Sequence, residues 1–213
     1  MQKHSEIVIL GSGLIGLSTA LLLERYGLES IIIDKSPMNL LKSNKDRRTT
    51  AISQGSARIY EKIGIWKDLV KHSQPIYKIK VTEGIEVDGL TFNDDMTEEG
   101  VMGYIVENKF IKRFLLKKVL KSSLIKLYSG TLVKSLKNLK NKTLELKTAN
   151  GTTTCNLLIG ADGRKSNTRK IGLFKYLYKN YNQNAYVFNI LHKKPHKGMA
   201  LERFFSTGPL AIL

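Results

Sequence analysis

The chain has 213 residues, of which 42% are hydrophobic, enough for one large domain or two small ones with a buried core. Lys and Arg total 35 against 18 Asp and Glu, a net charge of +17, but the basic residues are mostly lysine and scattered; no compact cluster alternates with aromatics, so nucleic acid is not an indicated partner. The single Cys155 excludes an internal disulfide and a cysteine-rich metal site and suits a reducing cytoplasm, and Pro195 between His192 and His196 argues against a helical metal pair.

The first predicted elements are the most specific. Ile7–Leu10 is a short apolar run suited to a strand buried on both faces. Gly11, Gly13 and Gly16 follow as G-x-G-x-x-G, then a helix over Leu14–Tyr26, with Gly27 where a helix C′ glycine belongs. Ile31–Ile33 is a second strand, and Asp34 stands at its end, 23 residues after Gly11. In this pattern Gly11 permits the tight turn, Gly13 lets a pyrophosphate approach the backbone, and Gly16 lets helix and sheet pack closely. The helix start offers unpaired N–H groups to phosphate. An acid at position 34 accepts bonds from ribose hydroxyls and favours FAD or NAD over NADP. A membrane span or signal peptide fits poorly: the apolar run from Ile7 to Leu23 is 17 residues, holds three glycines and ends at Glu24-Arg25.

Further along, Lys35–Arg48 reads as a loop, Gln54–Lys62 as an amphipathic helix closed at Gly64-Ile65-Trp66, and Trp66–Val70 as a further turn. Ile76–Val81 and Ile85–Phe92 alternate as hairpin strands do. The acidic cluster Asp94, Asp95, Glu98 and Glu99 sits among turn residues and reads as a solvated loop tip rather than an acid–base pair. Met102–Val106 is a strand. Phe110–Ser122 carries apolar residues at helical spacing, a core stripe. Leu124–Leu127, Thr131–Leu136 and Leu144–Thr148 are strands, with a hairpin turn at Asn150-Gly151. From Cys155 an apolar strand runs into Gly160-Ala161-Asp162-Gly163 and a basic, hydroxyl-rich helix start. A strand end with an acid beside a parallel sheet is a ligand position; Asp as a helix cap in an ordinary turn is the competing reading. Tyr176–Leu191 alternates, and Leu201–Phe205 and Pro209–Leu213 read as strands.

Taken together, the fingerprint ending in Asp34, Arg48-x-x-Ala51-Ile52-Ser53, and Gly160-Ala161-Asp162-Gly163 with Ser166 and Arg169 resemble class A FAD-dependent aromatic hydroxylases. Gly64-Ile65-Trp66, Gly103–Asn108 and Phe204-x-x-x-Gly208-Pro209-Leu210-Ala211 are similar to the ubiquinone-biosynthesis monooxygenases, over their N-terminal half. The resemblance implies an α/β fold: a Rossmann-like FAD-binding domain, residues 1–72 and 101–175, with an inserted, incomplete β-sheet substrate domain, residues 73–100 and 176–213. It assigns Gly11, Gly13 and Gly16 to the FAD pyrophosphate, Asp34 to the adenosine ribose, and Arg48 to the phosphates and ribityl chain. Asn108 falls to the flavin side, and Asp162-Gly163 to FAD and a passing NAD(P)H.

The implied function is NAD(P)H-using hydroxylation of a polyprenylated phenol with O2 in ubiquinone biosynthesis. The chemistry belongs to the cofactor, so no catalytic side chain and no metal is required. The family's second flavin motif, Gly-Asp-Ala-Ala-His, lies beyond this chain's last residue. The expectation is a chain inactive alone, with a C-terminal half or other biosynthetic subunits as partners. The family also has Pro-Thr-Gly-Pro where this chain has Ser206-Thr207-Gly208-Pro209. The alternatives are an FAD-dependent reductase of the same superfamily and a non-catalytic FAD-binding half of a split enzyme. Expected localisation is cytoplasmic, with peripheral association at the inner face of a membrane assisted by the positive charge.

Overall fold

The computed structural model describes residues 2–139 and 143–213. The chain divides into two compact units, residues 1–45 with 111–186 and residues 46–110 with 187–213. The first unit opens with β1 (Gln2–Leu10), α1 (Leu14–Glu24), β2 (Ser30–Ile33) and a short α2 (Met38–Leu41). The chain then builds β3 (Thr49–Ile52), α3 (Gln54–Ile63), α4 (Trp66–Leu69), β4 (Ser73–Ile76), β5 (Lys78–Glu83), β6 (Leu90–Asn93) and β7 (Gly103–Glu107) of the second unit. Helix α5 (Asn108–Val119) leads back to the first unit, which adds β8 (Ile125–Tyr128), β9 (Val133–Asn138), β10 (Leu144–Thr148), β11 (Gly151–Gly160) and α6 (Asn167–Ile171). Strands β12 (Met199–Phe205) and β13 (Gly208–Ile212) complete the second unit.

In the first unit one six-stranded sheet has the order β8-β2-β1-β11-β10-β9. The pairs β8–β2, β2–β1 and β1–β11 are parallel, and β11–β10 and β10–β9 are antiparallel. β1 lies between parallel neighbours, and Val8 and Ile9 are fully buried, as an unbroken apolar run requires. Register aligns Val8 with Ile31 and Leu10 with Ile33; with Val133, Leu146 and Cys155 these form one hydrophobic cluster. Burial pushes the Cys155 thiol up to about 11, so it sits in that cluster as a small hydrophobe. Helix α1 buries Leu17, Ala20 and Leu21 and packs on β1, β2 and β8. It stops where Gly27 N–H donates to Glu24 O (2.9 Å) and Leu28 N–H to Leu23 O (3.2 Å), the paired closure that a C′ glycine permits.

The second unit holds a three-stranded antiparallel sheet, β3-β7-β4, and a four-stranded sheet, β13-β12-β5-β6, in which only β12–β5 is parallel. Helix α3 begins with Ser56 N–H donating to the Ser53 hydroxyl (3.3 Å) and ends at Gly64. Trp66 meets Tyr104 edge to face at 4.8 Å.

Several expectations are corrected. The run Ile76–Val81 is two strands: Ile76 ends β4 on β7, Tyr77 N–H donates to Gly198 O (2.8 Å), and β5 joins β12 in another sheet. Of Ile85–Phe92 only Leu90–Phe92 is strand; Gly84–Gly89 is turn and loop, with Ile85 90% exposed, because alternating Ile85, Val87 and Asp88 has nothing to pack on. Tyr176–Leu191 has no regular secondary structure, and its large apolar side chains are exposed. The Lys35–Arg48 loop contains α2, and α5 starts at Asn108 rather than Phe110. No helix among the described residues is long and apolar enough to cross a membrane.

Candidate cofactor site

The carboxyl ends of three adjacent parallel strands build the site in the first unit. The loop after β1 supplies Gly11–Gly13, the end of β2 supplies Asp34, and the end of β11 supplies Ala161–Gly163, all lining one cavity of about 310 Å³. Ligands gather at such strand ends in open α/β sheets. Leu41, Leu132 and Val133 give the cavity an apolar side, and Lys35, Lys112 and Lys165 bring ammonium groups.

The three fingerprint glycines do three different things. Gly11 has φ +107°, and a Cβ there would lie 2.4 Å from the Ala161 carbonyl oxygen, so the turn admits no side chain. Its N–H donates to Ile33 O (2.8 Å), while Ala161 N–H donates to Leu10 O (2.8 Å), tying the three strand ends together. A Cβ on Gly16 would lie 1.9 Å from Gly11 O, so α1 can approach the turn only without one. Gly13 differs: a Cβ there meets nothing within 4 Å, which leaves open space at the start of α1. Gly13 caps α1 with no side-chain bond, so the first helical N–H groups are free of a capping side chain.

Asp34 is held by three donors. Ser12 N–H (2.6 Å) and Ser12 Oγ (2.7 Å) both donate to Oδ2, and Ser36 N–H donates to Oδ1 (2.7 Å). Burial alone would raise its pKa, but the bonds from Ser12 and Ser36 outweigh it and hold the carboxyl below its ordinary value. Ser12 is 1% exposed, and sequence reasoning passed over it. The signal was a hydroxyl residue at the first variable position of the glycine loop, meaningful only once the loop is seen folded onto the end of β2.

Asp162 stands at the cavity and also holds the start of α6. It lines the cavity, and its Oδ2 accepts from Thr168 N–H (2.9 Å) and Thr168 Oγ1 (3.0 Å) at the start of α6. The formal cap is Ser166, whose Oγ accepts from Arg169 N–H at 3.1 Å. Burial tends to raise the Asp162 pKa, and the bonds from Ser166, Thr168 and Asn167 win and lower it. Gly163 lines the same cavity.

Arg48 and Asn108 lie in the second unit, where pairing of β3 with β7 brings them together: Asn108 N–H donates to Arg48 O at 2.9 Å. Asn108 Oδ1 accepts from Thr50 Oγ1 (2.5 Å). The Arg48 guanidinium grips Asp46 in bidentate fashion, at 2.9 and 2.8 Å, and its bonds bring the Asp46 acid down to about 2. Neither Asp46 nor Thr50 was singled out from the sequence, since nothing in their spacing marks a partner. Among the described residues no group of three or more His, Cys, Asp or Glu could hold a metal ion.

The chain is similar to several known proteins. The chain is 31% identical to the ubiquinone hydroxylase UbiL of Rhodospirillum rubrum over 99% of this chain and 49% of that protein. It is 29% identical to the mitochondrial ubiquinone biosynthesis monooxygenase COQ6 of Xenopus tropicalis over 98% of this chain and 48% of that protein. The chain thus spans about half the length of the curated relatives it matches. Its fold is similar to that of PqsL, a probable FAD-dependent monooxygenase from Pseudomonas aeruginosa, with TM-score 0.71 at 17% identity over 84% of this chain and 48% of that one. It is also similar to that of p-nitrophenol 4-monooxygenase PnpA from Pseudomonas putida, with TM-score 0.64 at 17% identity over 80% and 44%. The model of the FAD binding domain family matches residues 4–206, and the chain belongs to that family.

Proposed function

We propose that this chain is the cofactor-binding portion of a flavoprotein monooxygenase that hydroxylates a polyprenylated phenol in ubiquinone biosynthesis, with NAD(P)H as a transient electron donor and O2 as the oxygen source. The observation that carries the reading is Asp34. It is an anchored carboxylate at the end of β2, lining one cavity with the Gly11–Gly13 turn. That donor set fits an adenosine diphosphate: a carboxylate for the ribose hydroxyls, and open space over Gly13 with free helix N–H groups for the phosphates. The relatives' names supply the reaction class and the phenolic substrate.

On this reading the first unit holds the Rossmann-like part of a cofactor domain. Gly11 and Gly16 shape the turn, Gly13 opens it, Ser12 and Ser36 hold Asp34 for the ribose, and Asp162 braces the third strand end. On the resemblance, Arg48 and Asn108 serve the ribityl and flavin end, within a cofactor domain of residues 1–72 and 101–175 and a substrate domain of 73–100 and 176–213. FAD, when bound, supplies the redox and oxygen-transfer chemistry; the chain binds it, orients it and excludes water. Peripheral attachment to an anionic membrane surface, and completion by a C-terminal half or other biosynthetic subunits, belong to the same proposal.

The test is complementation. In cells lacking their own ubiquinone hydroxylation step, co-expression of this chain with the C-terminal half of a relative such as UbiL should restore ubiquinone, and the Asp34→Ala form should not. Equal restoration by both forms, or no restoration by a pair in which this chain has bound FAD, contradicts the reading.

A further inference from the structure

Three lysines line the Asp34 cavity, and they are not equivalent. Lys35 and Lys165 are exposed, on loops. Lys112 is half-buried and comes from α5. Residues 112, 116 and 119 share one face of that helix at spacings of four and three, and Leu116 and Val119 are buried there. A lysine on the inward flank of a core stripe runs its methylene stem along apolar neighbours and delivers the ammonium at the end. Here the end is the cavity.

A half-buried ammonium normally has a carboxylate partner, because partial desolvation penalises an unpaired charge. Lys112 has none: none of the ion pairs among the described residues involves it, whereas Lys109, one turn earlier on the same helix, is paired to Glu107 at 2.6 Å. The two acids at the cavity are bonded to neutral donors instead, Asp34 to Ser12 and Ser36, and Asp162 to Thr168. Lys112 therefore lines the cavity with no ion-pair partner among the described residues.

We infer that Lys112 is a phosphate-binding residue of this site, supplying a charge contact to the diphosphate of the bound dinucleotide in the cavity it shares with the glycine turn. This deepens the FAD reading and rests on it. It also divides the labour of the site. Asp34 reads the ribose, the glycine turn and α1 supply neutral N–H donors, and Lys112 supplies the formal positive charge.

The experiment compares ADP, adenosine and FAD on the whole chain, by calorimetry for the first two and by flavin fluorescence for the third. The wild-type chain should bind ADP more tightly than adenosine. Lys112→Gln should weaken ADP and FAD by about tenfold, the scale of one charge-assisted contact, and leave adenosine within about twofold. Lys112→Arg should restore most of the loss. Lys117→Gln, on the exposed face of the same helix, should change none of the three, and thermal melts of each variant check the fold. An unchanged ADP affinity in Lys112→Gln, or an equal loss for adenosine, overturns the inference while the FAD reading stands. A wild-type chain that binds neither FAD nor ADP overturns both.

Discussion

At the scale of single residues, the glycine fingerprint separates into positions that fold the turn and a position that leaves open space, where the proposed ligand would sit. Gly11→Ala should cost about 1–3 kcal/mol of stability, because φ +107° is unfavourable for alanine and the new methyl meets the Ala161 carbonyl. Gly13→Ala should melt within a degree or two of wild type, since its methyl meets nothing, yet lose FAD affinity by occupying the phosphate's space. Chemical denaturation paired with FAD titration distinguishes them, and equal destabilisation by both changes contradicts the assignment. Ser12 gives a pH prediction. The folded pKa of Asp34 is lowered, so its contribution to stability, and to the proposed ribose binding, is present above its ordinary value of 3.8 and is lost as pH falls through the lower folded value. Removing the Ser12 hydroxyl deletes one of the three donors and raises that folded value. Ser12→Ala should therefore move the acid limb of FAD binding upward, read from FAD affinity against pH; an unmoved limb would show that the backbone donors alone suffice.

At the scale of elements, the β1–α1–β2 stretch was legible because three signals agree there: an apolar run, glycines with physical jobs, and an acid at the next strand end. The four-stranded sheet was less so. Alternation marked Ile76–Val81 as one strand, but alternation cannot say which partner a strand has, and the switch at Tyr77 is made by a bond to Gly198, more than a hundred residues on. Alternation also failed at Ile85–Val87, where two glycines bracket a turn and the apolar side chains point to solvent. Of the residues lining the cavity, Gly13 and Asp34 were marked by spacing, whereas Ser12 and Lys112 were not, since Ser12 is placed by its bond to Asp34 and Lys112 by the face of its helix. The double use of Asp162 yields a further prediction. Asp162→Asn keeps its size but weakens the bonds to Thr168, so α6 should fray and the chain should lose about 1 kcal/mol in denaturant unfolding, a loss absent if the acid serves ligand alone.

At the scale of the whole molecule, net charge +17 exceeds what a dinucleotide site needs. No described helix is long and apolar enough to cross a membrane, and the net positive charge itself would give a salt-sensitive attraction to an anionic bilayer. The chain should float with anionic vesicles at low salt and be released at high salt; no flotation at low salt removes membrane attachment from the proposal. The reaction class rests on relatives twice this chain's length, while the cofactor site rests on residues present here. The measurement that bears most directly on the central claim is therefore the visible spectrum of the purified chain after incubation with FAD and gel filtration. The account predicts flavin absorbance travelling with the protein, and its loss in Asp34→Ala. A folded chain that emerges colourless would contradict it.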